Sequence, residues 1–140
     1  VDRGIGEELR AQATAAGDPG ALRLLGPLNE AALVNLYRGA AMLLYPSRYE
    51  GFGLPILEAM GCGTPVIGSD CASIPEIVGT AGAIVDALDV DAWVREILSV
   101  LMMPVLAAKL RESGRARALE FSWTRTAEQT LDILREVSRR

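Results

Sequence analysis

The chain has no histidine and a single lysine; the other thirteen of its fourteen cations are arginines. Without histidine, and with two cysteines at the wrong spacing, a protein-held metal centre lacks its ligands. The two cysteines, Cys62 and Cys71, are read as free, reduced thiols rather than as a bridge. That points to a cytosolic compartment. The net charge is −4 and no basic stripe is present, which argues against nucleic acid as a partner. Long hydrophobic runs are missing too. The longest, around residues 97–108, is broken by Pro104 and is too short to cross a bilayer. No signal peptide is visible, although an internal fragment would not show one. Repeats and low-complexity linkers are absent as well.

Half of the 140 residues are apolar, enough for one domain with a real core. The pattern reads as short apolar runs alternating with helical stretches. A helix is predicted over 7–16 with Ile5 and Leu9 inward, then a turn at Asp18-Pro19-Gly20. Strands are predicted at 21–25, 41–45, 65–68 and 83–85, short and apolar as buried parallel strands are. Asn29 should cap a helix over 30–38, Asp89 one carrying Trp93 and Ile97, and Ser122 one carrying Trp123, Leu131 and Leu134. Pro104 should start another helix, running to about 119. Ser73 and Glu76 have the spacing of a capping box. This alternation predicts an α/β fold, with a Rossmann-like parallel sheet and helices on both faces. Trp93 and Trp123 lie on apolar stripes and are read as packing residues. Arg111, Arg115 and Arg117 are read as a solvated face. Ser69 and Asp70 should border a cleft or serve their own turn.

The richest stretch is Glu50-Gly51-Phe52-Gly53-Leu54-Pro55, with Glu58 following. It lies between the end of a predicted strand and the start of a helix, where open α/β sheets bind ligands. Gly51 and Gly53 allow unusual backbone angles and close approach of a ligand. Pro55 suits the first helical turn. Free N–H groups and the positive helix end favour a phosphate or a dense set of hydroxyls. Two carboxylates, each able to accept from a vicinal diol, add the polyol half of the ligand. The combination points to a nucleotide sugar. A glutamate near a helix N-terminus is also stabilising without any ligand, but the full run is more specific than a lone Gly-x-Gly. A Rossmann dinucleotide site fits less well, since a third glycine is missing and the acidic pair lies inside the motif.

This run, continued by Glu58-Ala59-Met60-Gly61-Cys62-Gly63-Thr64-Pro65-Val66-Ile67-Gly68-Ser69-Asp70, resembles the C-terminal domain of retaining glycosyltransferases of family four, which have the GT-B fold. Leu24-Leu25-Gly26-Pro27-Leu28 and Ser73-Ile74-Pro75-Glu76-Ile77-Val78-Gly79 extend the likeness, with residues 41–79 the diagnostic part. The resemblance implies a nucleotide diphosphate sugar as donor substrate, no cofactor and no metal. It implies that Glu50 is the catalytic residue, holding the donor sugar near the reacting carbon. Main-chain N–H groups of Gly51, Phe52, Gly53 and Leu54 would contact the sugar and diphosphate. Glu58 would bind the ribose diol, and the backbone around Leu28 would lie against the base. The family's diphosphate-neutralising Arg and Lys, and its acceptor half, have no counterpart here. Residues 1–140 are therefore expected to be the donor-binding domain of a truncated GT-B hexosyltransferase, incomplete at its N-terminus and inactive alone. The acceptor would be a sugar, a lipid-linked glycan or another hydroxyl compound. The whole protein is expected in the cytoplasm, with any contact to the inner face of the membrane made by the missing half. The rival reading is a non-catalytic nucleotide-sugar-binding module.

Overall fold

Turn residues and apolar runs divide the chain into α1 (Arg3–Ala15), α2 (Glu30–Gly39), β1 (Leu43–Tyr45), α3 (Leu54–Gly61), β2 (Val66–Ser69), α4 (Ile74–Val78), β3 (Ala83–Val85), α5 (Val90–Met102), α6 (Pro104–Leu119) and α7 (Trp123–Val137). The structure, a computed structural model, describes residues 3–139. The chain forms two compact units, one ending at Ala32 and the other starting at Leu33.

In the first unit, α1 ends at Ala15 and is followed by Gly17, whose φ of +86° is left-handed. The predicted turn forms as the Asp18 carboxylate accepts from Gly20 N–H at 3.0 Å. Asn29 caps α2 as expected, accepting from Ala32 N–H at 2.9 Å. Two expectations fail. Ile5 and Leu9 are exposed; the inward position is Gly6, where an added Cβ would meet Leu24 Cδ1 at 2.9 Å. Residues 21–25 are not a strand. A strand's backbone groups need a neighbour, and no described strand pairs with this run.

The second unit is built on a parallel sheet in the order β1-β2-β3. Leu43 is opposite Val66, and Ile67 opposite Ala83. Successive strand residues point to opposite faces, and both faces are covered. Val66 and Leu43 join Ile56, Met60, Ile74 and Val78 on the side of α3 and α4. Ile67 joins Val85, Trp93, Val100 and Leu110 on the side of α5 and α6. The expectation of helices on both faces holds. Trp93 is a core residue, and its indole N–H donates to Asp86 C=O at 3.0 Å.

Asp89 and Ser122 cap α5 and α7 through Ala92 N–H and Arg125 N–H, and Pro104 starts α6, all as expected. The arginines of α6 are not simply solvated. Arg111 donates to Gly63 C=O at 3.0 Å, and Arg117 donates to the carbonyls of Ile77 and Glu76 at 3.1 and 2.6 Å. Arg117 thereby satisfies the C-terminal carbonyls of α4, which is only five residues long. Trp123 is not core: it is 79% exposed, and among the described residues α7 buries none of its apolar stripe.

Candidate functional site

After Tyr45 the chain crosses the C-terminal edge of the sheet as a loop over residues 46–53 and then enters α3. Gly53 makes the entry with φ +100° and ψ 44°, and α3 has no side-chain cap. The first N–H groups of α3 are thus left without a side-chain acceptor, and its positive end is open. Pro55 sits in the first turn as expected. Gly51 differs from Gly53. Its φ is not positive, and an added Cβ would meet nothing within 4 Å. It supplies open main chain rather than a special backbone angle.

Each carboxylate of the motif has a tyrosine beside it. The phenol of Tyr37, on α2, donates to Glu58 Oε2 at 3.2 Å. Burial, and then the Glu58 charge, push this phenol up to about 12. Tyr45, the last residue of β1, is likewise pushed up to about 12, by burial first and then by Glu50. Both phenols stay protonated, and remain donors, through the neutral range. Glu50 is half-buried, whereas Glu58 is exposed apart from its tyrosine partner.

The loop is braced by the last residue of β2 and by the connection that follows it. Fully buried Ser69 donates through Oγ to Ser47 C=O. Ser73 Oγ lies 2.9 Å from Phe52 C=O and 3.3 Å from Glu50 C=O. Between them Ala72 takes a φ of +52°. The predicted capping box does not form. Ser73 already has helical angles, φ −79° and ψ −9°, and its side chain makes no cap bond to α4. Asp70 accepts from Ala87 N–H at 3.2 Å, so its role is to tie loops together. Cys62 and Cys71 are free and half-buried. Burial, followed by Asp70, pushes the Cys71 thiol up.

Phe52 is fixed from the far side. Its ring meets Phe121 edge-on, with centroids 6.1 Å apart at 80°, and the Arg117 guanidinium lies 4.7 Å over Phe121. A small apolar pocket of about 100 Å³ opens between Phe52, Leu54, Leu57, Phe121 and Trp123. Gly51, Phe52, Leu54 and Glu58 are exposed and Gly53 is buried, all on one short loop and helix start. Leu28 belongs to the first unit and is 42% exposed. Among the described residues, no three acidic or cysteine side chains gather as a metal cluster. No described helix is long and apolar enough to cross a membrane.

Residues 4–117 match the family model described as "Glycosyl transferases group 1". The chain belongs to this family. "O-antigen chain mannosyltransferase B" of Escherichia coli is 45% identical over 113 residues, which cover 81% of this chain and 30% of that protein. "D-inositol 3-phosphate glycosyltransferase" of Saccharomonospora viridis is 39% identical over 116 residues, covering 81% and 27%. The chain thus spans less than a third of the length of these relatives. Among solved structures, sucrose-phosphate synthase from Thermosynechococcus elongatus superimposes with a TM-score of 0.83 at 29% identity, over 95% of this chain and 34% of that one. The α/β architecture is that of a GT-B glycosyltransferase domain.

Within this group 1 glycosyl transferase chain, sequence reasoning missed Tyr37, Tyr45, Ser73 as a brace, Arg117 and Phe121. Tyr45 carried a signal, since it ends the strand that leads into the motif. Tyr37, Ser73 and Phe121 reach the motif from 21 to 69 positions away, and Arg117 acts through Phe121, separations that no local pattern encodes.

Proposed function

We propose that this chain is the C-terminal donor-binding domain of a retaining glycosyltransferase of family four. The whole protein would move a hexose from a nucleotide diphosphate sugar to an acceptor hydroxyl, keeping the α configuration. The observation that carries this reading is the loop of residues 46–53. Two glutamates, each beside a protonated phenol, flank an uncapped helix start at the C-terminal edge of a parallel sheet. The names of the relatives, a mannosyltransferase and an inositol phosphate glycosyltransferase, support sugar transfer in glycan synthesis.

In this reading Glu50 holds the donor sugar's hydroxyls and orients the reacting carbon; it does not attack. Main-chain N–H groups of Gly51, Phe52, Gly53 and Leu54 take the sugar and diphosphate oxygens, helped by the positive end of α3. Glu58 accepts from the ribose diol. No metal is assigned to the chemistry. Further cations for the diphosphate, and the acceptor site, are assigned to residues outside this chain. The free thiols support a cytoplasmic location.

A panel of nucleotide diphosphate hexoses, tested with and without acceptors on the natural protein, examines this. Turnover that needs both substrates is expected, and Glu50→Gln should lower kcat about 100-fold by misplacing the sugar. Wild-type kinetics in Glu50→Gln would remove Glu50 from its role. Donor binding with no turnover on any acceptor would leave a nucleotide-sugar-binding module.

A further inference from the structure

We propose that Tyr37 is the positioning residue for Glu58: its phenol sets the carboxylate for a cis-diol and so makes the site prefer ribonucleotides to 2′-deoxyribonucleotides. This rests on the reading of Glu58 as the ribose ligand.

An exposed glutamate has three rotatable bonds and loses much of that freedom when it grips a ligand. Glu58 is exposed, on the first turns of α3, and among the described residues one hydrogen bond restrains its carboxylate: Tyr37 Oη donates to Oε2 at 3.2 Å. Tyr37 is itself held firmly. Its half-buried ring packs against the cluster of Ile56, Met60 and Val66. Its main-chain carbonyl accepts from Thr64 Oγ1 at 2.6 Å and from Ala40 N–H at 3.1 Å. Thr64 is 1% exposed, on the turn between α3 and β2. The phenol therefore projects from a fixed point to an exposed carboxylate.

The arithmetic of acceptors supports the same role. A carboxylate offers about four lone-pair sites, and the phenol uses one. The whole of Oε1 and the remainder of Oε2 are left for two hydroxyl donors. A phenol can only donate to a carboxylate, and this one stays protonated through the neutral range. Pinning one oxygen fixes the carboxylate plane, and a vicinal pair of hydroxyls then meets acceptors already in place. A site built this way penalises a ligand that lacks one hydroxyl, because an acceptor is left unpaired.

The test is calorimetric titration of the natural protein with uridine and guanosine diphosphates and their 2′-deoxy counterparts. The wild type should bind the better ribonucleotide about tenfold tighter than its deoxy form. Tyr37→Phe keeps the ring and its packing. It should weaken the ribonucleotide about three- to tenfold, leave the deoxynucleotide nearly unchanged, and shrink the ratio toward one. Glu58→Gln should collapse the ratio as well, and adding Tyr37→Phe to it should cost nothing more. If Glu58→Gln leaves the ratio intact, the reading of Glu58 fails and the proposal falls with it. If Glu58→Gln collapses the ratio and Tyr37→Phe does not, Glu58 stands and Tyr37 is not its positioning residue. Equal weakening of both ligands in Tyr37→Phe marks a structural role and overturns the proposal.

Discussion

Removing the Ser73 hydroxyl isolates the brace on the motif loop. Ser73 Oγ has one proton to give and two carbonyls in reach, Phe52 at 2.9 Å and Glu50 at 3.3 Å. Ser73→Ala removes a hydrogen bond whose net worth is about 1 kcal/mol. That loss should appear in chemical denaturation as a lower midpoint with an unchanged slope. The effect on transfer should be larger than the effect on stability. The Glu50 carbonyl is one of the two groups held, so a loosened loop shifts the carboxylate that orients the sugar. A displacement near 1 Å can cost about 100-fold in rate, and we expect a fall in kcat of roughly 10- to 100-fold. Ser73→Thr keeps the donor and should recover most of the rate. Ser73→Asp separates the brace from a helix cap. An aspartate is a good cap for α4 but cannot donate to a carbonyl when ionised. It should be as slow as alanine or slower. If Ser73→Asp is fast and stable, Ser73 is a cap and the brace reasoning is wrong. If Ser73→Ala loses stability but keeps kcat, the loop does not depend on this contact.

Gly53→Ala should destabilise the fold by about 1–2 kcal/mol, because φ is +100° and the new Cβ would press on Ile56 Cδ1 at 3.2 Å. Gly51→Ala in the same denaturation series should cost far less, since nothing lies within 4 Å. Tyr37 and Tyr45 make stability depend on alkaline pH. Both phenols are raised from 10.0 to about 12, so the fold favours their protonated forms. Their contribution is full below pH 10 and is lost as pH rises from 10 to 12. The melting temperature should fall across that window, and less steeply in Tyr37→Phe.

What could be read from the sequence was what short-range chemistry decides. Asn29, Asp89 and Ser122 cap helices through a side chain that reaches an N–H three residues on, and all three form as expected. Pro55 and Pro104 sit in first turns for a similarly local reason. The strand run at 21–25 failed because a strand is made by its neighbour, and apolar composition alone cannot provide one. Ser73 failed as a capping residue because a contact to Phe52, 21 residues back, outcompeted the local one. Arg117 looked like surface charge and is tied to carbonyls 40 and 41 residues away. The motif itself was legible, since Glu50, Gly53, Pro55 and Glu58 lie within nine residues. The tyrosines that stand beside its two glutamates were not.

The long-range ties share one origin. Ser69 reaches back to Ser47, Ser73 reaches back to Phe52 and Glu50, and Asp70 reaches forward to Ala87. The end of β2 and the connection to α4 therefore hold both neighbouring loops at the C-terminal edge of the sheet. β2 is the central strand, so its following loop is the one placed to touch the other two. It does so with short polar side chains, which lose little entropy when fixed, and with Ala72 at φ +52° to turn them the right way. The geometry of Glu50 thus depends on a segment that carries neither glutamate of the motif. A change confined to residues 69–73 would move Glu50 and the loop at 86–88 together, whereas a change within residues 46–53 would leave 86–88 in place.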